Sequence, residues 1–234
     1  MEVKNNRFVV FLDIMGFKDR VARNSADELY KELTDFNRDI TTIINSSLIV
    51  NRRQETKQEE SSEAKLISNK DFEDNILLAQ FSDSIVLFSS DNSEKSLQTI
   101  TNVTVKIMQK AINREKPIPL KGALAEGQIT CDMSKQLFFG QSLIDAYLLE
   151  ENVQFYGIAV HHTAEGSVKA INSEWYKNAK IPLKSGIIEH FMLVWWTREK
   201  ESVSLGLDRL RLMVSDTPRK YVDNTRDLVN KVWA

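Results

Sequence analysis

The chain has 234 residues, with 31 Lys and Arg against 33 Asp and Glu, a single Cys and 42% hydrophobic residues. A 9% aromatic content with only four Pro and eight Gly excludes a collagen-like, Pro-rich or globally disordered chain, because enough bulky apolar side chains exist to build a core. A net charge of −2 gives no general attraction to polyanions, so no nucleic-acid partner is expected.

The first element, Arg7 to Ile14, is β-branched and aromatic and reads as a buried strand ending in Met15-Gly16-Phe17. Ser25 and Glu28 have capping-box spacing, and Leu29, Leu33, Phe36, Ile40 and Ile43 then recur on one face of a long amphipathic helix. Asn51 to Lys65 lacks apolar periodicity and reads as a solvated, mobile insertion. Asn75 to Phe81 and Ser84 to Ser89 are apolar runs around Ser82-Asp83; they form either a hairpin turning at the aspartate or one continuous strand from Ile76 to Phe88 with Asp83 pointing out.

A second long helix runs from Ser93 to Asn113, with Leu97, Ile100, Val103, Ile107 and Ala111 inward and Pro117 beyond its end. Pro119 to Ala125 and Gln136 to Phe139 read as strands, and Ser142 to Glu150 as a helix with Leu143, Ala146 and Tyr147 packed inward. The order β-α-β-β-α-β-β-α predicts an α+β sandwich, an antiparallel or mixed sheet covered on one face by helices. A strand at Gly157 to His161, a helix at Ala164 to Tyr176, a strand near His190 to Trp196 and a final helix opened by Pro218 complete the chain. Residues 1–161 are expected to form a core and residues 162–234 a C-terminal strand-helix elaboration of the same domain.

No apolar stretch is long and uncharged enough to cross a bilayer, and Met1 to Phe11 lacks a signal peptide's apolar segment, so a cytoplasmic, membrane-free protein is expected. Cys131 stands alone, which excludes an internal disulfide framework and a cysteine-rich zinc site. His161 and His162, read as neighbours on a strand, would point to opposite faces and could not share a ligand. The same alternation places one ring of Trp195-Trp196 inward and one outward.

Two acids lie where a core should be. Asp13 ends the strand FVVFLDI and Asp83 sits between AQFS and SIVLFSS; a buried lone carboxylate is costly, so each needs a partner, a metal ion or exposure at a strand end. Both could be simple turn or cap residues. Brought to one sheet edge they would repel, and a hard divalent cation, Mg²⁺ or Mn²⁺, resolves such a pair. Gly16 permits a tight turn into a helix whose first amides, from Met15 to Lys18, would favour a phosphate group.

Phe11-Leu12-Asp13-Ile14-Met15-Gly16-Phe17 resembles the F-x-D-I-x-G-F motif of the class III nucleotide cyclases, and Phe81-Ser82-Asp83-Ser84 resembles their second metal-Asp motif. Gly140-Gln141-Ser142-Leu143-Ile144-Asp145-Ala146-Tyr147-Leu148-Leu149-Glu150 is similar to the glycine-started helix that closes their core, with Lys121-Gly122 to Glu126-Gly127 falling between. The closest likeness is to the bacterial pyrimidine cyclases of Pycsar antiphage defence. It implies a ferredoxin-like sandwich over residues 7–161 and conversion of UTP or CTP to a 3′,5′-cyclic nucleotide and pyrophosphate in a homodimer. A separate effector would sense the product.

By this resemblance two Mg²⁺ or Mn²⁺ ions are held by Asp13, Asp83 and the Ile14 carbonyl, and Met15, Gly16 and Phe17 contribute to the phosphate site. The purine-reading positions of the family fall at Ala79 and Leu137, and its transition-state Asn and Arg at Ile144 and Leu148. Lys18, Arg20 and Lys121 are then the candidate catalytic cations. Competing readings are a degenerate cyclase-like module that binds nucleotide or dimerises without turnover, and a palm-type nucleotidyltransferase; the latter lacks a basic stripe for a nucleic acid.

Overall fold

The computed structural model describes residues 4–56 and 76–232. The N-terminal strand is β1 (Lys4–Ile14), followed by the short helix α1 (Phe17–Arg23) and the long helix α2 (Ala26–Thr56). Ser25 and Glu28 form the reciprocal box that opens α2: the Glu28 amide donates to Ser25 Oγ at 3.3 Å and the Ser25 amide to Glu28 Oε2 at 3.0 Å. Phe36, Ile40 and Ile44 are its buried stripe. Residues 51–56 continue this helix rather than starting the expected insertion, whose remainder, 57–65, lies outside the described residues.

Next comes the hairpin β2 (Leu77–Phe81) and β3 (Ser84–Phe88), joined by Ser82-Asp83, so the hairpin and not the continuous strand is formed. Ser82 takes a positive φ of 56°, as a two-residue turn demands. α3 (Glu94–Ile112) is capped by Ser93, which accepts from the Ser96 amide, and buries the predicted Leu97, Ile100, Val103, Ile107 and Ala111. β4 (Leu120–Asp132), β5 (Leu137–Gly140) and α4 (Gln141–Asn152) follow.

The C-terminal part holds β6 (Ile158–Val160), α5 (His162–Ile171), β7 (Tyr176–Leu183), β8 (Gly186–Leu193), α6 (Lys200–Met213) and α7 (Thr217–Lys231). Here the sequence expectations need correction. The helix expected to reach Tyr176 stops at Ile171, with Asn172 in the left-handed region, and Tyr176 instead begins β7. β7 and α6 were not anticipated. Trp195 and Trp196 lie beyond the end of β8, so strand alternation does not apply to them; both are buried, ring edge against ring face at 5.6 Å.

The strands form one sheet in the order β2-β3-β1-β4-β6-β8-β7, with β5 also paired to β4; β4 and β6 run parallel and the other pairs antiparallel. Alternation along β1 sets the two layers. Phe8, Val10, Leu12 and Ile14 enter the main core with α2 and α3, while Val9 and Phe11 pack on the opposite face with Ala146 and Leu143 of α4. Helices therefore lie on both faces, not one, and Asp13 shares the α4 face with Phe11. Gly122 lets the central strands approach: a Cβ there would sit 2.3 Å from the Phe11 carbonyl oxygen.

Candidate active site at the β1 edge

Asp13 is the penultimate residue of β1, opposite Ser84 of β3 and Lys121 of β4. Partners across antiparallel strands share a face, so Asp13, Ser84 and Lys121 all lie on the α4 side. The hairpin turn delivers the second acid: the Ile14 amide donates to the Asp83 carbonyl at 2.9 Å, tying the turn to the end of β1. Burial and then the Asp83 charge push the Asp13 carboxyl up to about 6, partly offset by Lys121.

Gly16 follows at φ 73° and precedes α1. No heavy atom lies within 4 Å of where its Cβ would be, so glycine is required here by conformation and not by crowding. The Met15 amide donates to the Pro119 carbonyl at 2.9 Å and is committed to the fold. The amides at the first turn of α1, from Phe17 onward, have no acceptor within that helix.

The three candidate cations occupy different settings. Lys18 is exposed on α1. Arg20 pairs with Glu32 at 2.5 Å and donates to the Pro117 carbonyl at 2.6 Å, which locks α1 onto α2 and the approach to β4. Lys121 is buried, its ammonium 2.8 Å from Glu150 Oε1 and 2.9 Å from the Glu150 carbonyl. Glu150 was not singled out in the sequence, although a signal existed: Ser142, Ala146 and Glu150 recur every four residues and are the buried face of α4. Desolvation raises the Glu150 carboxyl pKa, opposed by Lys121.

Beside Asp13 an open groove of about 560 Å³ is lined by Phe11, Ala79, Gln80, Phe81, Ile144 and Tyr147, among others. Its walls are mostly apolar. Gln80 lies opposite Ile85 in the hairpin, so its side chain faces α2, where Gln80 Oε1 accepts from Asn37 Nδ2 at 2.6 Å. Phe81 is 85% exposed and Ile144 about half exposed, so apolar surface flanks the mouth.

The histidines depart from expectation. His161 caps α5 and His162 is its first residue, so the helix start, not a strand, holds them and their rings meet at 4.1 Å. With His190 and Asp145 they line a separate cleft of about 360 Å³. Among the described residues no group of three or more His, Cys, Asp or Glu is arranged to hold a metal ion.

The sheet, the hairpin and the Gly16 turn together have the fold of the class III nucleotide cyclases. The catalytic core of a rhodopsin-guanylyl cyclase with converted specificity, in complex with ATPαS, superposes with a TM-score of 0.58 at 11% identity, covering 83% of this chain and 98% of that one. The adenylyl cyclase CyaB from P. aeruginosa gives 0.54 at 15%, covering 83% and 96%, and the guanylate cyclase domain of RhGC from Catenaria anguillulae, in complex with GTP, 0.57 at 11%, covering 83% and 98%. Identities this low establish the fold alone. No protein-family model and no curated protein sequence matches the chain. No helix among the described residues is long and apolar enough to cross a membrane.

Proposed function

We propose that this protein is a nucleotide cyclase that acts on a pyrimidine triphosphate, UTP or CTP. The observation that carries the reading is the hairpin turn that bonds Asp83 to Ile14 and brings its charge to bear on Asp13 at one sheet edge, beside the Gly16 turn, within a class III cyclase fold. The donor set fits a hard cation. Two carboxylates whose charges oppose each other, with the Ile14 carbonyl at the same edge, offer oxygen ligands only, as Mg²⁺ and Mn²⁺ prefer.

Asp13, Asp83 and the Ile14 carbonyl would hold two such ions, which when bound acidify the ribose 3′-hydroxyl and neutralise the phosphates. The first-turn amides of α1 bind the terminal phosphates, and Gly16 lets the chain turn towards them. In the reaction the 3′ oxygen bonds to the α-phosphorus, the bond from that phosphorus to the bridging oxygen breaks, pyrophosphate leaves and the hydroxyl proton passes to water. The product is cCMP or cUMP.

Pyrimidine preference is supported by Ala79 and Leu137 at the family's purine-reading positions: neither side chain can form a hydrogen bond with a base edge. The groove beside Asp13 is apolar apart from a few side chains such as Ser84 and the Tyr147 hydroxyl, which suits a flat base held by stacking and few polar contacts. The exposed apolar residues around it, Phe81, Ile144 and Tyr147, support a homodimer joined across this face. Second-messenger synthesis in antiphage defence, in the cytoplasm and read by a separate effector, is the physiological role that we assign by resemblance.

The test is to incubate the purified chain with each of the four NTPs and Mn²⁺ and to resolve the products by mass spectrometry. Formation of cCMP or cUMP, abolished by Asp13→Ala and by Asp83→Ala, is expected. A purine cyclic product overturns the base preference. Nucleotide binding without any cyclic product supports the non-catalytic module, which the apolar Ile144 and Leu148 at the transition-state positions favour, and a product longer than one nucleotide supports a transferase.

A further inference from the structure

We propose that Glu150 is a positioning residue for Lys121, holding its ammonium at the Asp13 edge as the cation that meets the charge developing on the transferred phosphoryl group. This rests on the cyclase reading above and assigns the cation that it otherwise lacks, since the family's helix arginine position is Leu148, an apolar residue half exposed to solvent.

The placement follows from two periodicities. Along β4, Leu120 and Leu124 enter the main core, so Lys121 and Ala125 face α4. Along α4, the spacing of four that buries Ser142 and Ala146 brings Glu150 to the same interface. Lys121 is thereby directly opposite Asp13 in the β1–β4 register and directly beneath Glu150.

The contacts do more than neutralise a charge. A lysine ammonium has three donors. Lys121 donates to the Glu150 carbonyl at 2.9 Å and forms an ion pair with the Glu150 carboxylate at 2.8 Å, so one residue holds the ammonium by two contacts. Double anchorage by one residue removes the rotational freedom of a long side chain, a condition for electrostatic stabilisation that needs no rearrangement during the reaction. Both side chains are at least 92% buried, at 8% and 4% exposure, so the low-dielectric surroundings strengthen the field that Lys121 exerts.

A buried ion pair is not favoured for stability as such, because apolar residues of similar size often replace it without loss. Its presence within electrostatic reach of Asp13 therefore asks for a functional reason. Burial and then the charges of Glu150 and Asp13 raise the pKa of Tyr221 on α7.

The experiment compares the full chain with Glu150→Gln, Glu150→Asp, Lys121→Met and the charge-free double variant Lys121→Met/Glu150→Leu, each checked for folding by its circular-dichroism melt. Steady-state cyclic nucleotide formation gives kcat and KM, and electron paramagnetic resonance of free Mn²⁺ gives metal affinity without nucleotide. Glu150→Gln and Lys121→Met are each expected to lower kcat by about 100-fold, the scale of losing one preorganised electrostatic donor. KM and Mn²⁺ affinity should move by less than about threefold, and Glu150→Asp should recover part of the rate.

The double variant should fold yet be no more active than Lys121→Met. A folded Glu150→Gln with unchanged kcat, or an active double variant, overturns the proposal and leaves the pair structural. Absence of any cyclic product from the wild-type chain overturns the cyclase reading itself, and this proposal with it.

Discussion

Replacing Asp13 by Asn should stabilise the metal-free protein while abolishing its activity, and the size of the effect follows from the site. The Asp13 carboxyl is raised from 3.8 to about 6 by burial and by Asp83. A carboxyl whose pKa is higher folded than unfolded binds its proton more tightly in the native state. The ionised form therefore costs stability; the cost is absent below about pH 4 and complete above about pH 6. A shift of roughly two units corresponds to about 3 kcal/mol for an enclosed group, and the partial exposure of Asp13 lets water screen this to about 1–2 kcal/mol.

For a chain of this size that is about 2–8 °C in melting temperature. Differential scanning calorimetry in EDTA at pH 8 should show Asp13→Asn melting higher than wild type by this amount, and the gap should close as the pH is lowered to 4. Adding Mn²⁺ should raise the wild-type melting temperature and leave that of Asp13→Asn nearly unchanged. Equal melting temperatures at pH 8, or a gap that widens in acid, would refute the argument that burial and Asp83 strain this carboxylate.

Three further outcomes test the supporting structure. Gly16→Ala should cost about 1 kcal/mol, since its Cβ meets nothing within 4 Å and only the φ of 73° opposes it; urea unfolding measures this, and a raised KM for nucleotide should accompany it. Gly140→Ala should be worse by at least about 1 kcal/mol, because a Cβ would lie 2.4 Å from the Gln128 carbonyl oxygen and 2.6 Å from Ile129 Cα, backbone atoms that cannot swing away. Thr225→Val should cost about 1–3 kcal/mol in urea unfolding, as the buried Tyr156 amide loses the Oγ1 acceptor it meets at 2.8 Å.

The first two-thirds of the fold was legible because its signals are local. The capping box at Ser25 and Glu28 and the buried stripes of α2 and α3 each lie within one element and need no knowledge of its neighbours. The C-terminal part was less legible. Tyr176 to Leu183 contains Lys177, Asn178, Lys180 and Pro182, a pattern that reads as no strand until pairing with β8 makes it the edge of the sheet. Trp195 and Trp196 show the same limit, since alternation describes a strand and the strand has already ended.

By itself the sequence determined the order of the core elements, the acids Asp13 and Asp83 at the ends of apolar runs, and the glycine that turns the chain at position 16. These are properties of residue type and spacing, set by side-chain burial and backbone freedom. Only the tertiary structure decided which charges meet. Strand register placed Lys121 opposite Asp13, the hairpin turn tied Asp83 to Ile14, and the packing of α4 set Glu150 on Lys121. Electrostatic interactions act between residues brought close in space, here 29 positions apart in the case of Lys121 and Glu150, and no spacing along the chain encodes that proximity.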